Sequence, residues 1–338
     1  MNDFHTNTLS SDTKKSMRTR IITGAILALV VLPCVFLGEW FFFFAALTVE
    51  ILATIEIVRC AKRKYSPLLY IVSILLVVAL SLWPVIRTIG STPSKSFRIF
   101  LHFDQLYLSI IILFASLCIV LFMVLIDKNF AVRDATYIFT FLLILSLGIQ
   151  SALFLRSIPS YKNYIDNGKV LNPNYFNIYD SLESSSLFIY VAIGTFATDI
   201  GAYFIGVFFG KNKMNERISP KKTWEGFIGG IVISTICSFL FGFILAKCNH
   251  PMLNMFTINK WYIILILSFV MPFFSTLGDF VFSSAKRYYE IKDYGSVLPG
   301  HGGVMDRIDS LLFTLITSAV VINIVTLIES GNGLSSLI

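Results

Sequence analysis

The sequence predicts an all-α, polytopic integral membrane helix bundle with about nine transmembrane helices and a cytoplasmic N-terminus. Three observations carry this. Of 338 residues, 56% are hydrophobic and only 14% charged, whereas soluble domains carry about 25% charged residues. Nine stretches approach the roughly 20 apolar residues that a helix needs to cross the hydrocarbon core. The basic residues between those stretches fall unevenly on alternate sides.

The nine stretches lie near 21–38, 41–58, 68–86, 106–126, 135–155, 187–209, 226–246, 261–282 and 308–328. The first follows the basic "KKSMRTR" and superficially matches a signal peptide. Its apolar run is long and shows no clear small-x-small cleavage site, so it reads as a retained span. Only "GEW" separates the first two stretches, which predicts a tight helical hairpin. The third ends in "WP", compatible with a kink or tilt.

With nine spans, the connections alternate sides. Segments 1–20, 59–67, 127–134, 210–225 and 283–307 hold 19 of the 27 Lys and Arg residues, and segments 87–105, 156–186 and 247–260 hold 8. The positive-inside rule places the first group in the cytoplasm. Segment 156–186, rich in Tyr, Asn and Ser, reads as an irregular extracytoplasmic loop.

The net charge of +7 fits anionic headgroups better than nucleic acid, because the charges sit in loops between apolar spans. No helix-turn-helix or zinc pattern is present. The five cysteines show no metal-ligand spacing, and their odd number argues against a complete disulfide framework.

Four acids fall inside spans: Glu50, Glu56, Asp199 and Asp279. A carboxylate at mid-bilayer costs about 2.5–3.5 kcal/mol on insertion scales, so each needs a partner or a cavity. Glu56 lies beside Arg59 near the cytoplasmic end, and Glu50 is expected to pair within the bundle. Asp199 sits among the small residues of "GTFATDIGAYFIG", which favour close helix packing. Asp279 approaches the cytoplasmic face, the same side as the aspartates that follow the eighth span.

Two clusters carry the chemistry. In "SPKKTWEG" (219–226), Ser219 and Pro220 break the chain before a helix. Lys221 and Lys222 then place positive charge beside that helix's N-terminus, a combination that suits phosphate. In "KRYYEIKDYGSVLPGHGGVMDRIDS" (286–310), Asp306 and Asp309 are three apart and share a helix face. With Asp279 they can hold a hard cation through oxygen, and Mg2+ suits few carboxylates plus substrate phosphate. Gly302 and Gly303 let phosphate approach the main chain. His301 is a candidate for phosphate contact or proton transfer. These residues point to a membrane enzyme handling phosphates at the cytoplasmic headgroup level, with a transporter as the second reading. No Walker A motif is present.

The segment 283–310, with "KR" before "KD", then "PGHGG" and "DRID", resembles the signature of phosphatidate cytidylyltransferases (CDP-diacylglycerol synthases). "SPKKTWEG" and "RTRIITG" are also similar to that family's motifs, and the spacing matches over about 195–310. The resemblance implies transfer of the cytidylyl group of CTP to phosphatidate, giving CDP-diacylglycerol and pyrophosphate in phospholipid biosynthesis. It implies Mg2+ as one or two divalent cations, with a monovalent cation also allowed, and membrane lipids as surroundings. A homodimer is compatible with it.

Carried onto this chain, Asp279, Asp306 and Asp309 become metal and catalytic candidates, joined by Lys292, Asp293 and His301. Ser219, Lys221, Lys222, Lys286, Arg287, Arg307, Gly302 and Gly303 become substrate-binding candidates. The expected divisions are a cytoplasmic tail (1–20), N-terminal spans with the extracytoplasmic loop (21–186), and a C-terminal catalytic membrane region with two cytoplasmic motif loops (187–338). A bacterial cytoplasmic membrane with an inward-facing site is the expected location. The alternatives are a CTP-dependent polyprenol or phytol kinase and an ion-coupled transporter.

Overall fold

The computed structural model describes residues 11–61, 65–90, 95–165, 178–253 and 255–329. Among them run nine α-helices: α1 (Ser11–Leu37), α2 (Glu39–Arg59), α3 (Pro67–Gly90), α4 (Lys95–Ile126), α5 (Val132–Ile165), α6 (Ile178–Phe209), α7 (Trp224–Lys247), α8 (Trp261–Tyr288) and α9 (Met305–Glu329). Each expected stretch falls within one of these helices, except that the first overruns α1 by the single residue Gly38. Seven carry segments long and apolar enough to cross a bilayer, while α3 and α4 contribute the shorter apolar pieces Pro67–Ser81 and Ile111–Ile126. The chain is a membrane protein.

Two expectations need correction. Parts of the connections 87–105 and 156–186 are helical, because α3 reaches Gly90, α4 starts at Lys95, α5 reaches Ile165 and α6 starts at Ile178. Backbone-breaking residues and caps end a helix; the end of an apolar run does not. The centre of the second connection, 166–177, lies outside the described residues, as does the tail 1–10. The bundle also holds a two-stranded antiparallel ribbon, β1 (Lys213–Asn215) with β2 (Ser219–Thr223), between α6 and α7.

On α7, small residues make the buried stripe: Gly226, Gly230, Ser234, Ser238, Gly242 and Ala246. Large apolar residues (Ile228, Val232, Ile236, Leu240 and Ile244) are exposed. This is the pattern of a lipid-facing helix that meets its neighbour through small side chains. That neighbour is α6, its most extensive partner. A Cβ at Gly230 would stand 2.8 Å from the Thr198 carbonyl oxygen, and one at Gly226 2.7 Å from that of Ala202. The close crossing sets α6, and Asp199 with it, against α7.

Residue Gly38 alone links α1 to α2, at φ 65°. Opposite it the buried Arg156 donates through Nε to the Val35 carbonyl at 2.7 Å and through Nη2 to that of Phe36 at 3.3 Å. A guanidinium thus serves the carbonyls that the end of α1 leaves unpaired. Inside α8, Pro272 has no N–H to give the Ser268 carbonyl. The Thr235 hydroxyl of α7 donates to that carbonyl at 3.4 Å. Glu50 finds its partner within the bundle, accepting from the Ser81 hydroxyl at 2.9 Å.

Two buried apolar clusters lie along the bundle. One contains Ile57, Leu69, Phe130, Ile138, Phe282 and Met305, and the other Leu155, Tyr190, Phe256, Ile264 and Met271. The connections rich in Lys and Arg meet at the end of the bundle nearest the first cluster. Thr23 Oγ1 donates to the Pro299 carbonyl at 2.9 Å, Asp127 accepts from Ser66 N at 2.7 Å, and Arg287 Nε donates to the Ile218 carbonyl at 3.2 Å.

Candidate active site

The ribbon brings the first lysine pair into place. Asn215 Oδ1 accepts from Ile218 N at 3.1 Å and shapes the turn. Thr223 ends β2 and caps α7, its Oγ1 accepting from Gly226 N at 3.1 Å. Glu225 receives the Lys211 and Asn212 amides at 3.1 and 3.2 Å, tying the start of the ribbon to the start of α7. Lys222 therefore stands on a strand before the helix, and it turns inward. Its Nζ lies 2.5 Å from Asp279 Oδ2 on α8 and 4.6 Å from the Phe280 ring centroid. Lys221 is exposed and Ser219 half-buried on the same strand.

On α8, Asp279 also accepts from the Ser283 hydroxyl one turn on, at 3.0 Å. A second turn brings the buried Lys286, 2.9 Å from Asp306 Oδ1 and 4.0 Å from Asp309 Oδ2. The other oxygen of Asp306 accepts from Tyr294 N at 2.8 Å and Gly303 N at 3.0 Å. Asp306 thus clamps both ends of the loop between α8 and α9 to the start of α9. Gly302 turns at φ 87°, and a Cβ there would stand 3.2 Å from Asp306 Oδ2. Burial pushes the Tyr294 hydroxyl well above the usual tyrosine range. It stays protonated and donates to the Phe282 carbonyl at 3.1 Å.

The loop is braced from two remote places. Glu56, near the end of α2, accepts from Val304 N at 3.0 Å and Met305 N at 2.8 Å. A carboxylate on the free amides of a helix N-terminus is favourable in both hydrogen bonding and dipole. On α1, Thr23 holds the Pro299 carbonyl. Gly24 faces the His301 ring, and Arg20 passes Gly300, which turns at φ 75°. "RTRIITG" therefore lies against "PGHGG". His301 is half-buried, and its Nδ1 has no hydrogen-bond partner among the described residues.

Asp199, Asp279 and Asp309 act on one another electrostatically, and Lys222 and Arg307 act on Asp199 with the opposite sign. Asp199 is exposed and accepts from the Ser310 hydroxyl at 3.4 Å. Among the described residues no three acidic, His or Cys side chains form a ready-made metal cage; Lys222 and Lys286 stand between the aspartates. Four aspartates around two lysines still leave an excess of hard anionic oxygen. That fits a cation such as Mg2+, which needs one or two carboxylates and completes its shell with water and phosphate.

The structure brings together Lys222, Asp279, Lys286, Asp306, Asp309 and Gly303 of the expected residues, and adds Asp199. Lys292, Asp293 and Arg307 are exposed at the same end. Arg287 leaves the aspartates and donates to the Ile218 and Ile291 carbonyls, each at 3.2 Å. Glu56, Tyr294 and Thr23 were not expected to hold the loop. An acid at the end of an apolar span was the available signal for Glu56.

The sequence profile of the cytidylyltransferase family matches residues 18–325. The phosphatidate cytidylyltransferase of Bacillus subtilis (strain 168) is 30% identical over 299 residues, 88% of this chain and 95% of that protein. Shorter matches include the phosphatidate cytidylyltransferase of Mycobacterium leprae (strain TN), 44% identical over 120 residues, 36% of this chain and 35% of that protein. That of Staphylococcus haemolyticus (strain JCSC1435) is 40% identical over 127 residues, 38% of this chain and 45% of that protein. A membrane bundle with lysines and aspartates gathered at one end, matched to one profile along most of its length, makes this chain a nucleotidyltransferase belonging to the cytidylyltransferase family.

Proposed function

We propose that the protein is a CTP:phosphatidate cytidylyltransferase, with its site at the cytoplasmic headgroup level of a bacterial cytoplasmic membrane. The observation that supports this best is the meeting of Lys222 and Lys286 with Asp279, Asp306 and Asp309 at the end of an apolar bundle. A water-soluble polyphosphate and a membrane-held phosphate can both reach such a place. The uneven distribution of Lys and Arg supports the inward orientation.

In the proposed reaction a phosphate oxygen of phosphatidate forms a bond to the α-phosphorus of CTP. The bond from that phosphorus to the bridging oxygen of the β-phosphate breaks, and pyrophosphate leaves with the electron pair. Both reactants are anions, so charge neutralisation and in-line positioning supply the catalysis. Lys222 and Lys286 offset the phosphate charge. The nucleophile is already ionised at neutral pH, so no strong general base is required, and His301 shapes the loop beside α1. Asp279 and Asp309, with Asp199 nearby, would hold Mg2+, which supplies charge neutralisation at the phosphates when bound. Asp306, saturated by Lys286 and two amides, holds the loop.

The test is purified protein in detergent with phosphatidate, Mg2+ and CTP labelled at the α-phosphorus. Label is expected in the lipid, with release of pyrophosphate. Transfer of the γ-phosphoryl group alone would replace this reading with a lipid kinase.

A further inference from the structure

A separate cleft of about 560 Å³ lies where the start of α5, the end of α8 and the turn of the β1–β2 ribbon meet. Three arginines line it, one from each element: Arg133, Arg217 and Arg287. Among the described residues no acidic side chain lines it; Asp134 acts electrostatically on the lining residue Tyr289, with Arg133 opposing it. Arg133 lies 5.4 Å from the centroid of the Tyr288 ring. Arg287 gives two N–H groups to the main chain, which fixes the direction of the rest of its five-donor fork. The Tyr289 hydroxyl is buried with no hydrogen-bond partner among the described residues.

This cleft is not the site described above. At about 3.6 residues per turn, Val281, Ser284 and Tyr288 stand on the side of α8 away from Asp279, Ser283 and Lys286. The body of a helix, about 10 Å across, separates the two.

The lining changes with depth. Arg133 sits in the first turn of α5 and Arg287 in the last turn of α8. Phe141 and Val281 lie about 12 Å and about 9 Å further into those helices, within segments long enough to cross the bilayer. Guanidinium groups thus stand at the mouth and apolar walls below. Free phosphate would use only the mouth. An anionic amphiphile uses both layers, its phosphate on the guanidinium forks and its glycerol and upper acyl carbons against the aromatic walls.

We propose that this cleft is a second lipid site, which binds the headgroup of an anionic phospholipid apart from the reaction centre. The probe is dioleoylphosphatidylglycerol, since phosphatidate would also enter the site of the proposed reaction. Binding is read by native mass spectrometry of the full chain in detergent, so it does not depend on turnover. Phosphatidylglycerol is expected to bind at least tenfold more tightly than dioleoylphosphatidylcholine. The double variant Arg133→Gln/Arg217→Gln, both exposed positions, should weaken it about 25-fold, about fivefold for each arginine near a membrane surface.

Equal binding by wild type and double variant would overturn the proposal, as would equal affinity for phosphatidylcholine. Displacement of the lipid by 10 mM inorganic phosphate would make the ligand a free anion. Independently of any variant, a photoactivatable phosphatidylglycerol should label peptides containing Arg133–Phe141 or Val281–Tyr289; labelling confined elsewhere would also overturn it.

Discussion

The carboxylate of Glu56 accepts the backbone N–H of Met305 at 2.8 Å, across 249 residues of sequence. It makes the end of α2 the cap of α9. Glu56→Ala should leave the Val304 and Met305 amides unpaired in a buried setting and lower stability by about 1–3 kcal/mol. Glu56→Asp, one methylene short, should recover only part of this. Thermal unfolding in detergent checks both; an unchanged midpoint for Glu56→Ala would show that the cap contributes nothing.

Asp306→Asn should do more than lower turnover. One oxygen of Asp306 takes two loop amides and the other takes Lys286. The substitution removes the charge from all three bonds and should speed exchange of the Tyr294 and Gly303 amides. Hydrogen exchange followed by mass spectrometry reads this directly. Lost turnover with unchanged exchange would return Asp306 to a purely catalytic place.

Lys222→Met should lower kcat about 100-fold, the usual loss when one charge-stabilising group is removed from a reaction centre. Lys221→Met, an exposed neighbour on the same strand, should change it far less. Initial rates at saturating CTP separate the two. Equal losses would mean that the strand acts by its overall charge, and that the Lys222–Asp279 pair is incidental.

Asp127 gives a pH-dependent contribution to stability. Its carboxylate accepts from Ser66 N at 2.7 Å and Asn129 N at 3.0 Å, which hold it below the ordinary aspartate value of 3.8. A depressed pKa stabilises the fold above the ordinary value and loses that effect as pH falls through the lowered one. The difference in melting temperature between wild type and Asp127→Asn should be constant from pH 7 to 5 and shrink below about pH 4. A constant difference down to pH 3 would remove Asp127 from this role.

The spans were legible because a bilayer imposes length and apolarity on each of them. The glycines around Asp199 were legible as packing residues because two backbones can approach only where Cβ atoms are missing. Spacing put Asp306 and Asp309 on one helix face, yet it does not record that the loop amides fold back onto Asp306. Glu56 read as a neighbour of Arg59, since local sequence says nothing of an amide 249 residues away. The ribbon was missed because "SPKKT" lacks strand alternation, and Ser-Pro reads equally well as the approach to a helix.

Glu56 and Thr23 are made well before the loop they hold. At about 5–20 residues per second, roughly 12–50 s pass before Glu56 meets its amides. Until then the membrane must carry a carboxylate without its final partners. A chain released before α9 is made therefore leaves the Glu56 carboxylate in the bilayer without the Val304 and Met305 amides that pair it in the finished protein.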